Sequence, residues 1–155
     1  EETLLQFDGK KFVTPKLEVP ERVFFGIRRC DLNGIKHQDK VFIEDANDPY
    51  YKSAREKSFL LGYHCNTAPS SYCFCGSLDL VDFYDLMFYD RGKNILVEVG
   101  SEKGEFLINK FKRFFTSTGI GITVVMEKLE DILYFISLLF LIGVTASTIL
   151  LKKKG

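Results

Sequence analysis

Arg22-Val23-Phe24-Phe25-Gly26-Ile27 runs directly into Arg28-Arg29-Cys30-Asp31-Leu32, and the join between these two stretches sets the fold class. The first is a short β-branched and aromatic run, which predicts a buried strand. Gly26 allows the backbone to turn sharply toward Cys30. Asp31 is placed to cap a helix over 32–40, with Leu32 and Ile35 on one face. A second run of the same kind, Ser58-Phe59-Leu60-Leu61-Gly62-Tyr63, predicts a second buried strand that delivers Cys65 just beyond its end.

Upstream, Asp8-Gly9 between short apolar runs predicts a small hairpin, and Pro15 and Pro20 bracket an irregular connection. Between the two strands, Asp48-Pro49 marks the start of a helix running to about Lys57. The acidic loop before it lacks the ligand spacing of a calcium hand. Downstream, Asp90-Arg91-Gly92-Lys93-Asn94 predicts a hairpin turn joining 86–89 to 95–99. Leu107, Phe111, Phe114 and Phe115 recur at helical spacing from Glu105, with acidic residues near the start and basic ones near the end. Strands mixed with helices predict an α/β or α+β domain over residues 1–118, a small mixed sheet with flanking helices.

The bulk numbers exclude several function classes. With 155 residues and 46% hydrophobic content, the chain can build one real core. Lys+Arg and Asp+Glu both number 21, without a basic stripe, so no nucleic-acid partner is expected. Gly100–Gly104 and Ser117–Gly121 lack the spacing of a phosphate-binding loop. His37 and His64 read as surface or internally satisfied histidines. A His64–Cys65 nucleophile–base pair is disfavoured because neighbours on a strand point to opposite faces.

The tail changes character. Residues 119–131 read as a linker. Residues 132–151 carry no charge, and thirteen of the twenty are Leu, Ile, Phe or Val. A helix of that length matches a hydrocarbon core of about 30 Å, which predicts a single transmembrane helix anchoring the domain. Lys152-Lys153-Lys154 favours a cytoplasmic C-terminus, whereas Lys110, Lys112 and Arg113 favour a cytoplasmic domain. The chain opens at Glu1 without Met, and the unlike tail suggests joining to a shortened domain by truncation or a shifted frame.

All four cysteines, Cys30, Cys65, Cys73 and Cys75, fall between residues 30 and 75. They are too few for a disulfide-stapled domain of this length. Four thiolates match the ligand count of a tetrahedral zinc or of an iron–sulfur cluster. In extended chain Cys73 and Cys75 share a face and can reach one centre. By spacing alone, cluster, zinc and no metal all stand.

A resemblance narrows this. Gly26-Ile27-Arg28-Arg29-Cys30-Asp31-Leu32, then Asp39-Lys40-Val41-Phe42, Asp48-Pro49-Tyr50-Tyr51 with Arg55, Cys65, Cys73-Phe74-Cys75 and Val97-Glu98-Val99-Gly100-Ser101 occur in this order. Over about Arg22 to Phe115 the chain resembles the iron–sulfur (4Fe-4S dicluster) family that includes the beta subunit of sulfhydrogenases and the corresponding iron–sulfur subunit of anaerobic sulfite reductases. The resemblance implies a cytoplasmic electron-transfer subunit of an oxidoreductase, without a catalytic site of its own. It implies partnership with a catalytic hydrogenase or reductase subunit and with a flavin-containing subunit. It also implies that Cys30, Cys65, Cys73 and Cys75 ligate one [4Fe-4S] cluster, with zinc as the competing metal. Arg28 and Arg29 flank Cys30 and would offset cluster charge, or would instead face solvent or pair with Asp31 or Glu21. The family's two C-x2-C-x2-C-x3-C-P runs are missing from these residues. The alternatives are therefore a truncated non-redox remnant or a zinc-stabilised, membrane-anchored interaction domain.

Overall fold

The computed structural model describes residues 5–13, 18–117, 123–126, 133–138 and 145–148. The Asp8-Gly9 signal forms a hairpin of β1 (Gln6–Phe7) and β2 (Phe12–Val13). Asp8 accepts hydrogen bonds from the Lys10 and Lys11 amides at 2.8 and 2.9 Å. Those donors hold its carboxyl below the usual range.

The main sheet is built from β3 (Arg22–Ile27), β4 (Ser58–Tyr63), β5 (Leu86–Asp90), β6 (Ile95–Val99), β7 (Thr116–Ser117), β8 (Thr123–Met126) and β9 (Thr145–Thr148). Their order across the sheet is β7-β8-β6-β5-β4-β3-β9. β9, β3, β4 and β5 pair in parallel, and β6, β8 and β7 add antiparallel pairings. The β5–β6 hairpin closes at the predicted turn, where the Gly92 amide donates to Asp90 Oδ1 at 2.7 Å and Gly92 takes φ +82°.

The helices include α1 (Arg29–Asp39), α2 (Pro49–Glu56) and α3 (Glu102–Lys110). α1 runs on into a π-helical turn, Lys40–Asp45. Asp48 caps α2 by accepting from the Tyr50 and Tyr51 amides, with Pro49 in the first turn, as predicted. The expected Asp31 cap is corrected. The helix begins three residues earlier, with Arg28 at the capping position and no side-chain cap. β3 ends at Ile27, so the chain turns into helix at once, and Asp31 lies in the first turn, where its charge complements the dipole.

The sheet is packed on both faces. Val23, Leu61, Leu86, Phe88 and Val97 form one core with Leu107 and Phe111 of the α3 segment and with Phe135. Ile27, Leu60, Tyr84 and Met87 form the other with Leu32 of α1. Strand alternation would put Ile27 on the same face as Val23 and Phe25. Gly26 takes φ +81°, and the β3–β4 register shifts between Phe25 and Ile27. A one-residue irregularity moves the following side chain to the opposite face, so Ile27 joins the α1 side and the chain is aimed at Cys30.

The transmembrane prediction for 132–151 is corrected as far as it falls on described residues. Residues 133–138 form a short helix whose Phe135 is buried against Phe111 and Phe115 at centroid distances of 5.0 and 5.6 Å. Thr145–Thr148 forms β9, in register with Arg22–Phe25. The free edge of β3 pairs with a segment rich in β-branched residues, whose backbone groups are then satisfied by the ladder. Among the described residues no helix is long and apolar enough to cross a membrane. The rest of that segment, 132, 139–144 and 149–151, lies outside the described residues. Within 119–131, read above as a linker, Thr123–Met126 contributes β8.

Candidate metal centre

Because β3 and β4 are adjacent and parallel, their C-terminal ends open at one edge of the sheet, where ligands commonly sit in such folds. Arg28, Arg29 and Cys30 follow β3, with Cys30 in the first turn of α1. His64 and Cys65 follow β4, the His64 amide still donating to the Phe88 carbonyl at 2.8 Å. Gly62 lets α1 lie close on β4. A Cβ there would fall 2.6 Å from Met87 Cε and 3.0 Å from Leu32 Cδ1.

The connection from β4 to β5 brings in the third sulfur. Cys75 opens a short 3-10 turn, Cys75–Ser77. The far end of this connection is clipped to α1 by Asn33, a buried amide. Its Oδ1 accepts from the Val81 amide at 3.1 Å, and its Nδ2 donates to the Val81 carbonyl at 3.0 Å. Arg29 adds an ion pair with Asp82. Cys30, Cys65 and Cys75 thus line one cleft of about 380 Å³, together with Arg28, Arg29 and His64.

Inside the cleft, Arg28 Nη1 donates to Cys65 Sγ at 3.0 Å. Burial first, then the Asp31 carboxylate and the Cys75 sulfur, push the Cys30 thiol above its ordinary value. Cys30 and Cys75 line the same cleft.

Cys73 is placed differently. Like Cys75 it is exposed, but it does not line the cleft, and its neighbours Tyr72 and Phe74 are 86% and 65% exposed. The shared-face expectation for Cys73 and Cys75 required extended chain between them. Phe74 instead has φ −130° and ψ 30°, which ends the alternation. Alternation fails for His64 and Cys65 too. β4 stops at Tyr63, and both residues line the cleft. His37 lines a neighbouring hollow of about 790 Å³ that shares Cys30 with the cleft.

Among the described residues no group of three or more His, Cys, Asp or Glu is arranged as a ready metal site. The donor set still fits a thiolate-ligated centre in kind: soft sulfurs, a helix N-terminus and a guanidinium on one sulfur. Sequence reasoning missed Asn33, Asp82 and Gly62, which hold the site's walls together. Gly62 carried a signal, being the one residue without a side chain in the strand Ser58–Tyr63.

No family model matches the chain, and no solved structure matches it. The chain is similar to sulfhydrogenase 2 subunit beta of Pyrococcus furiosus, 41% identical over 85 residues. Those residues make up 53% of this chain and 25% of that protein, so the chain spans about a quarter of the relative's length. The resemblance to the sulfhydrogenase beta subunit is borne out over this stretch.

Proposed function

We propose, taking the likeness to a sulfhydrogenase beta subunit as premise, that the chain carries an electron-transfer centre of a hydrogenase or reductase complex. The observation that carries this reading is the convergence of Cys30, Cys65 and Cys75 on one cleft at the ends of β3 and β4. Cys30, Cys65, Cys73 and Cys75 would hold one [4Fe-4S] cluster, with Cys73 completing the set from the exposed loop. When bound, such a group stores and releases one electron without bond-making chemistry.

The chain's own residues give the site its character. The first-turn amides of α1 and the guanidinium of Arg28 place positive charge beside the sulfurs, and the Asp31 carboxylate partly opposes them. Arg29, engaged by Asp82, tethers the loop that bears Cys75. A catalytic hydrogenase or reductase subunit and a flavin-containing subunit would be the electron donor and acceptor. The apolar side chains around Cys73 suit burial against one of them. The setting of this work would be cytoplasmic.

The test is metal and acid-labile sulfide analysis of anaerobically purified and reconstituted protein, with paramagnetic resonance after reduction. Iron and sulfide in equal amounts, with a reduced-cluster signal, is the expected result. Stoichiometric zinc, or neither metal after reconstitution, would overturn it.

A further inference from the structure

We infer that Arg28 sets the reduction potential of the centre through its hydrogen bond to Cys65, an inference that rests on the cluster reading above. Arg28 occupies the capping position of α1 in extended conformation, φ −78° and ψ 156°. From the end of β3 its guanidinium reaches across to the end of β4 and donates from Nη1 to Cys65 Sγ at 3.0 Å. Its neighbour Arg29 lines the same cleft but is engaged by Asp82. The two arginines therefore differ in kind: Arg29 is balanced by a carboxylate, and Arg28 is directed at a sulfur.

A donor on a ligating sulfur draws electron density from it, and a fixed positive charge favours the more negative, reduced state. Both effects raise the potential. Arg28 is thus a positioning residue, acting on the redox centre through Cys65.

The experiment is potentiometric titration of the reconstituted full chain, read by paramagnetic resonance, for wild type, Arg28→Gln, Arg28→Lys and Arg29→Gln. Iron content and far-ultraviolet circular dichroism serve as controls. Arg28→Gln is expected to lower the reduced-to-oxidised ratio at fixed poise about tenfold, or about 59 mV for a one-electron couple. Arg28→Lys keeps the charge and loses the planar fork, so it should fall between, and Arg29→Gln should shift far less. An unchanged potential in Arg28→Gln at full iron content would overturn the inference, as would equal shifts in Arg28→Gln and Arg29→Gln. Should Arg28→Gln lose iron, Arg28→Lys decides, and a wild-type potential there overturns the inference. Wild-type protein that takes up no iron would overturn the cluster reading instead.

Discussion

At the scale of single residues, the site separates two sulfurs held at strand ends from two on an exposed loop. Cys30 and Cys65 follow strands whose ends are fixed by the β3–β4 ladder, whereas Cys73 and Cys75 are exposed on the connecting loop, and of these Cys75 alone lines the cleft. Cys73→Ser should therefore leave the metal-free protein's stability within about 0.5 kcal/mol of wild type, while iron retention falls. Thermal melts of the apoprotein beside iron analysis of the reconstituted form check both halves. Buried Asp85 makes the opposite case. It accepts from the Leu60 amide at 2.7 Å and from Ser101 Oγ at 2.5 Å, tying β4 to the start of α3. Asp85→Ala should cost about 1–3 kcal/mol by orphaning a buried donor, measured by urea denaturation.

The residue scale also shows what could be read in advance. Cys30 and Cys65 were legible because each sits just beyond a strand with a strong apolar signature. The Cys73–Cys75 relation was not, because the two-residue periodicity holds only in extended chain and Phe74 leaves it. Asn33 gave no signal at all: its role depends on Val81, forty-eight residues away in sequence, which no local pattern encodes.

At the scale of elements, the parallel pair β3–β4 and helix α1 do most to place the site. Gly62 controls how closely α1 approaches β4, so Gly62→Val should destabilise the fold by about 1–3 kcal/mol through overpacking against Met87 and Leu32. Calorimetry measures the loss, and a wild-type melting temperature would contradict the packing described. α2 is anchored through Asp39, which accepts from the Tyr51 hydroxyl at 2.7 Å and from Arg55 Nε at 2.9 Å. Burial, then the bond to Asp39, push the Tyr51 hydroxyl from 10.0 up to about 12. A folded-state value raised above the unfolded one gives stability that is full below the unfolded value and lost as pH rises through the folded one. The predicted window of loss is therefore pH 10 to 12. Tyr51→Phe should reduce the slope of stability against pH in that window, followed by denaturation at successive alkaline pH values. Most of these elements were legible because their turn and cap chemistry is local: Asp48-Pro49 for α2, Asp90 to Asn94 for the β5–β6 hairpin.

For the whole molecule, the tail is where local reading failed most. A run of uncharged apolar residues has the same composition whether it faces lipid or a protein core, and periodicity cannot separate the two. The deciding facts are tertiary: the open edge of β3, which takes β9, and the aromatic space beside Phe111 and Phe115 filled by Phe135. Phe135→Ala should cost about 3–5 kcal/mol of folding stability, whereas a residue in a separate membrane anchor would leave the domain's melting unchanged. On the same view the sheet, packed on both faces, brings Cys30, Cys65 and Cys75 to one cleft beyond the ends of β3 and β4.

The central claim is that the sulfurs at this edge hold one iron–sulfur centre. X-ray absorption at the iron edge of the anaerobically reconstituted chain tests it most directly. The predicted result is an all-sulfur coordination shell with a short iron–iron vector, lost on replacing Cys30, Cys65 or Cys75 by Ser. Iron in an oxygen and nitrogen shell without that vector, or a spectrum indifferent to the cysteine replacements, would contradict it.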